Sequence, residues 1–409
     1  GLHGGGIYNY STDGDATITI WDDGNHEATC FYNNSAEQHG GGIYNESVQA
    51  NALVSVANAE FHTNKATLGF GGGIYNFSTQ NSEVVLDRVS MTCNRTMDIK
   101  AFGASIYNVT RNLAQDIPQD VVAKITAVHS TISKGYTQGH GSAFYNYAES
   151  YGNVQSSVTL ENSTITENEA SEVTIYVGAK SLSNDVTKRA DTVVTIVNST
   201  VAGNQDNWET GGIYVLSHAA KFHSSKLYLL NSIVYANYKG SDASDIIFAS
   251  TENNEFVQNE FHVAYSIYGQ SNINPGEKSI EPTQFKTTTD NVKRIFADTM
   301  ESVSGVILPV LSNVDKRTIR ILPTGEAAIK GTLIGKIGND YFYYNMANTF
   351  GNGIGKWMSF TNDAIFNFNK TATNYGLTGG NVTVVGQNFG ANQQLASRVQ
   401  APNLLYFNV

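Results

Sequence analysis

Gly-Gly-Gly-Ile-Tyr-Asn stands at Gly4–Asn9, at Gly40–Asn45 and at Gly71–Asn76. Degenerate copies follow at Gly103-Ala104-Ser105-Ile106-Tyr107-Asn108, Ser142-Ala143-Phe144-Tyr145-Asn146, Thr174-Ile175-Tyr176 and Gly211-Gly212-Ile213-Tyr214. Between the copies lies a second motif, an apolar residue followed three positions later by Asn. It reads Phe31…Asn34, Phe61…Asn64, Met91…Asn94, Ile165…Asn168, Val201…Asn204 and Val234…Asn237, with Ile132…Gly135 as the variant. Self-similarity at a period of about 30 to 40 residues marks a chain built of stacked units.

The segments before the second motif alternate at period two, as in Val158-Thr159-Leu160-Glu161 and Val193-Val194-Thr195-Ile196-Val197. Such Val-, Ile- and Thr-rich alternation describes strands with one buried face. Asn-Gly and Asp-Gly hairpin turns are scarce, which argues against a sandwich of sequence-adjacent strands. A coil of three short strands, stacked on its own copies about 4.8 Å apart, accounts for the period. The predicted fold is all-β: a right-handed parallel β-helix of about seven to eight coils over residues 1–268. Residues 269–409 are predicted to form a β-rich C-terminal cap or accessory domain, because an uncovered β-helix end invites edge pairing. Strand-like runs there include Gly305–Leu308, Thr318–Leu322 and Asp340–Tyr344. A carbohydrate-binding module of its own is the rival reading of this region.

Stacking explains the residue choices. Ile7, Ile43, Ile74, Ile106, Phe144, Ile175 and Ile213 form an expected internal column, and the repeated Asn residues an expected ladder at the turns. The loops after Tyr-Asn are expected to protrude and carry specificity.

The two motifs together resemble the repeats of polymorphic outer-membrane-protein passengers, in which Gly-Gly-Ala-Ile alternates with Phe-x-x-Asn. Asn-Ser-Thr-Ile-x-x-Asn at Asn162–Asn168 is also similar to choice-of-anchor-type bacterial surface proteins, and Asn198–Asn204 is a second such segment. The likeness runs from Gly1 to about Tyr268. It implies a parallel β-helix displayed on a cell surface or secreted, among whose relatives are adhesins. The last 140 or so residues are too few for a 12-strand membrane barrel of about 10 residues per strand.

Composition narrows the function. The formal net charge is −11 with only 15% charged residues, and no Lys/Arg run offers itself to nucleic acid or anionic lipid. No apolar run reaches the length of a membrane span. Cys30 and Cys93 fall in different columns of the repeat and cannot pair, so both are expected to be buried free thiols. They lack clustered partners for zinc.

Several strings suggest chemistry. His3-Gly4-Gly5-Gly6 and His39-Gly40-Gly41-Gly42 match an esterase oxyanion loop, but no Gly-x-Ser-x-Gly partner exists and the repetition marks them as scaffold. Asp13-Gly14-Asp15 and Asp22-Asp23 are weak calcium candidates without a ligand pattern, so no cofactor is expected. Asp206 and Glu209, flanking Trp208, are the best acidic pair for glycoside hydrolysis, which requires two carboxylates across a groove. Sequons at Asn33, Asn45, Asn76, Asn94, Asn162 and Asn198 fall on repeat positions and are explained by the ladder.

The tyrosines that follow the internal column, Tyr8, Tyr44, Tyr75, Tyr107, Tyr145, Tyr176 and Tyr214, should turn outward. They offer either a stripe of rings for sugar or a self-stabilising aromatic stack. The leading expectation is an extracellular module that binds a glycan or a partner cell surface. Two others stand beside it: a structural component that self-associates through β-helix ends, and a polysaccharide lyase or hydrolase.

Overall fold

The computed structural model describes residues 1–311 except 22–27, 117–118, 221, 231, 250–256, 265, 278 and 280–281; beyond them it describes 319, 321, 327, 334–337, 340–344 and 357–360. The chain is a parallel β-helix of about seven turns. Its first sheet stacks eight strands, one per rung: Ile7–Ser11, Ile43–Ser47, Ile74–Ser78, Ile106–Asn112, His140–Ser150, Val173–Ser181, Thr210–His218 and Ile246–Ala249. A second sheet is made of two-residue strands from Ser35–Ala36 to Tyr238–Lys239, and a third runs along the remaining side.

Register follows the motifs residue for residue. Ile7, Ile43, Ile74, Ile106, Phe144, Ile175, Ile213 and Ile246 pair in one column. With the inward members of the other sheets, such as Val158, Leu160, Ile165 and Val201, they fill a continuous core. Alternation does the sorting: Val158 and Leu160 are buried while Thr159 between them stays partly open.

Each coil turns at corners held in the left-handed region. One corner uses the glycines Gly4, Gly40, Gly71, Gly103 and Gly141. A second uses Asn58, Arg88, His129, Asn162 and Asn198, and a third uses Asn33, Thr63, Cys93, Lys134, Glu167, Gly203 and Ala236. That a Thr, a Lys and a Glu all accept a left-handed backbone, which costs about 1–2 kcal/mol each, shows that neighbouring rungs impose it.

Two asparagine ladders repay that strain. Asn9, Asn45, Asn76, Asn108 and Asn146 are linked side chain to side chain at 2.7–2.8 Å. Behind the third corner Asn34, Asn64 and Asn94 form a second ladder. Gly135 interrupts it, offering its backbone N–H to Asn168. It resumes through Asn168, Asn204 and Asn237. A serine column, Ser130, Ser163, Ser199, Ser232 and Ser266, joins successive rungs through backbone N–H to hydroxyl bonds.

The cysteines depart from expectation. Cys30 is exposed and Cys93 partly exposed, and both are free. Cys93 occupies a left-handed corner at which Thr63, Lys134 and Glu167 also face outward, and Cys30 pairs with outward-facing Glu60. The thiols are therefore not core residues. The loops after Tyr-Asn are also short where all their residues are described, the longest being 182–188.

Past Tyr268 the stack continues, because Ile267–Tyr268 pairs in parallel with Thr283–Gln284. There follow a short helix, Thr289–Ile295, and an antiparallel pair, Thr299–Glu301 with Ile307–Pro309. Thr288 caps the helix by accepting from the Asn291 N–H. Val292, Ile295, Phe296 and Leu308 pack against Ala202, Ile233, Tyr235 and Tyr238. This segment covers the flank of the last rungs, where the Tyr235 and Tyr238 hydroxyls donate to the Lys286 and Ile307 carbonyls. Asp340–Tyr344 lies in a three-stranded antiparallel sheet with Ile334–Ile337 and Trp357–Phe360. Of the run Thr318–Leu322, only Ile319 and Ile321 are among the described residues, and Asp22-Asp23 lies outside them.

Candidate functional site

The outer face of the first sheet carries most of the chain's unusual chemistry. Tyr8, Tyr44, Tyr75, Tyr107, Tyr145, Tyr176 and Tyr214 point away from the core in one register, with successive ring centroids 4.8–5.5 Å apart and planes within 14° of parallel. A second column, His3, His39, Phe70, Phe102 and His140, stacks beside it at 5.1–5.5 Å. His39 also lies on Tyr75, and Phe70 on Tyr107.

This arrangement decides how the tyrosines can act. Each inner ring has both faces covered by its neighbours, so none is free to lie flat on a sugar. Tyr44, Tyr75, Tyr107 and Tyr176 keep only 5–8% of their surface, whereas Tyr8 in the first rung is exposed. What the row presents outward is ring edges and hydroxyl tips. Burial raises the phenol pKa of Tyr75, Tyr107, Tyr145 and Tyr176, so all four are neutral donors at physiological pH. None of these oxygens is among the fully buried, unpartnered atoms of the described residues.

On rungs five to seven the surroundings become polar on both sides. In register the flanking column passes from His140 to Val173 and Thr210, and the residues just before these two, Glu172 and Glu209, bring acid to its edge. Burial, then the Glu209 charge, raises the Glu172 pKa. His140 meets Glu172 at bonding distance. Burial holds its imidazole down to about 4, so the contact joins a neutral ring to a carboxyl and is not an ion pair. Trp208, in the same loop as Glu209, is 68% exposed.

On the other side of the tyrosine row Arg111, Glu149 and Lys180 occupy consecutive rungs in register. Arg111 Nε lies 2.7 Å and Lys180 Nζ 3.7 Å from the Glu149 carboxylate, which is nearly buried. Tyr147 donates its hydroxyl to Glu149 at 3.3 Å. Its ring is tilted by 51° against Tyr176 and leans over Gly178, where a Cβ would come within 2.8 Å of both rings. Gly178 thus makes room for Tyr147 to reach Glu149. Burial opposes the Arg111 charge, but Glu149 and the phenols of Tyr107 and Tyr147 outweigh it and raise the pKa.

The acidic pair read from the sequence is divided. Asp206 is almost fully buried, in the inward column Ala36, Ala66, Thr96, Thr137 and Ala170. It accepts from the Glu209 backbone N–H at 3.1 Å and holds the 206–210 loop in shape. Burial raises its pKa to about 7. Glu209 faces solvent, and its carboxylate neighbour is Glu172, not Asp206. Sequence reading missed Glu172, His140, Arg111, Glu149 and Lys180, whose signal lay in their places relative to each Tyr of the repeat.

Residues of the remaining strings make scaffold contacts. His39 Nδ1 accepts from the Phe70 N–H, which ties His39-Gly40 into the stack. Asp15 accepts from the Asn51 backbone and side chain, and no group of three or more His, Cys, Asp or Glu among the described residues is arranged to hold a metal ion. No helix among them is long and apolar enough to cross a membrane. Comparisons with protein-family models, curated proteins and solved structures return no match to this chain.

Proposed function

We propose that the chain is an extracellular β-helical binding module that holds an extended glycan along the outer face of its first sheet. One observation carries the reading: the tyrosine rings recur once per rung, with centroids about 5 Å apart. A linear polysaccharide that advances by a similar length per sugar would meet a neutral phenol at each residue, except that the Tyr44 hydroxyl already donates to Glu46. The stacked rings lose little rotamer entropy on binding because they are already fixed, which favours affinity. Trp208, exposed at the acidic end, adds one ring whose face is open to a sugar. The resemblance of the repeats to surface-displayed passengers supports the extracellular assignment.

The test is retention of the protein on a panel of insoluble polysaccharides, with released oligosaccharide scored in parallel. Tyr107→Phe and Tyr145→Phe keep the stack and remove the hydroxyls, so the double variant should lose most of the retention while melting normally. Retention by no polysaccharide, or unchanged retention in the double variant, sinks the reading.

A second reading rests on Glu172, a carboxyl of raised pKa beside Glu209 one rung away. Such a pair has the composition of a glycosidase acid and base. Released oligosaccharide that disappears in both Glu172→Gln and Glu209→Gln would establish it.

A further inference from the structure

We propose that Arg111 and Lys180 form an anion-recognition site, and that the glycan held on this face carries carboxylate or sulfate groups. The inference rests on the glycan-binding reading and specifies its substrate class.

Arg111, Glu149 and Lys180 form a row beside the tyrosine tips, two cations around one carboxylate, in a protein whose formal net charge is −11. Glu149 is satisfied from three directions, by Arg111, Lys180 and the Tyr147 hydroxyl, and its side chain is only 10% exposed. The two cations are far more open, at 48% and 39%. A guanidinium has five donors in a fixed fork. Glu149 is met through Nε, so Arg111 retains donors for a second anion, and a carboxylate or sulfate suits their planar spacing. Lys180 lies two rungs away, roughly 10 Å along the axis. Glu149 between them fixes both cations in place and leaves one of their two positive charges unmatched.

The rest of the face gives the ligand a direction. Glu172 and Glu209 lie on the opposite flank of the tyrosine row, where they repel anions and accept from sugar hydroxyls. An acidic sugar therefore binds with its charged substituent toward Arg111 and its hydroxyl edge toward Glu172. Polyphosphate chains fit poorly, because two cations cannot offset a uniformly charged polymer against the protein's own negative charge.

The experiment compares retention on immobilised polygalacturonate with retention on its methyl ester, for the wild type, Arg111→Gln/Lys180→Gln, and the triple variant that adds Glu149→Gln. The triple variant removes the buried charge together with its partners and so guards against misfolding. The wild type should prefer the acid polymer at least tenfold, with the preference eroded by NaCl. The triple variant should retain the two polymers equally, at the wild-type level for the ester, and the double variant, left with the Glu149 charge, should lose the preference for the acid or reverse it. Equal wild-type retention of both polymers, or a preference that survives in the triple variant, overturns the anion site while leaving glycan binding intact. Retention of neither polymer by the wild type overturns both.

Discussion

Asn237 Nδ2 donates to Asp245 Oδ1 at 2.9 Å, so the second asparagine ladder ends on a carboxylate. The same oxygen accepts from the Asn237 backbone N–H, and Oδ2 accepts from Gln270 N–H at 2.8 Å. Asp245 is fully buried, and burial outweighs these bonds to raise its pKa to about 7. The unfolded value is near 3.9. The folded chain therefore keeps a proton that the unfolded chain has lost. The resulting stability is complete below about pH 4 and is lost as pH rises through 7. In Asp245→Asn, the fall in stability between pH 4.5 and 6.5 should flatten by about 1.4 kcal/mol per pH unit. Urea unfolding at three pH values measures it. Asp206, with a similar raised pKa, leaves a second proton's dependence in place. An unchanged slope would exclude Asp245 as the titrating group.

Tyr107 stacks on Tyr75 at 5.1 Å, on Tyr145 at 5.4 Å and on Phe70 at 4.7 Å. Tyr107→Ala opens a gap in the middle of two columns and should cost about 3 kcal/mol or more, the range for removing a buried aromatic. Tyr107→Phe keeps every ring contact and should cost less than about 1 kcal/mol. Denaturant unfolding distinguishes the two. Equal losses would mean that the hydroxyl, not the stack, supplies the stability.

The internal column and the first asparagine ladder were legible because strand alternation assigns each residue a side. Alternation does not say how tightly a neighbouring rung covers the outward side. It turned Tyr44 and Tyr75 outward correctly and left open that their faces lie against each other. The Arg111, Glu149 and Lys180 row was hidden for another reason: its members are a whole coil apart, and coils differ in length. Only register brings them together. Cys93 was expected to be a buried thiol, but a left-handed corner leaves it partly exposed. The helix Thr289–Ile295 is two turns long, too short for a periodic signal; its markers were Thr288 at the cap and Asp290 in the first turn.

The buried ladders also bear on modification. Asn45, Asn76, Asn94 and Asn162 have no exposed surface and Asn198 only 2%, so a glycan on any of them is incompatible with the fold. Asn33 is exposed at its corner. Material secreted from a glycosylating host and folded should carry glycan at Asn33 and none at the other five. Peptide mass mapping reads the occupancy. A glycan on Asn76 in folded protein would contradict the ladder, because Asn76 bonds both Asn45 and Asn108.

Gly203 sets how closely the C-terminal segment can dock. It lies at φ +72°, and a Cβ there would come 2.5 Å from the Pro309 carbonyl oxygen. Two rungs of the same flank hold the segment nearby: Leu311 N–H donates to Glu167 Oε1 at 2.7 Å, and Gln205 Nε2 donates to Ser304. Gly203→Ala should cost about 1–2 kcal/mol from the left-handed backbone alone, and the clash would push Pro309 off the flank. Limited proteolysis should then cut within 299–311 several times faster, with the β-sheet circular dichroism unchanged. Ala236, the next residue of that corner, already accepts a left-handed backbone with a side chain. Ala236→Gly relieves that strain but removes a fully buried methyl from the cluster that holds Leu308, so the two effects should largely offset, and cleavage should rise far less than in Gly203→Ala. Equal cleavage in Gly203→Ala and the wild type would show that the segment's hold lies in the Tyr235 and Phe296 contacts and not at this close approach.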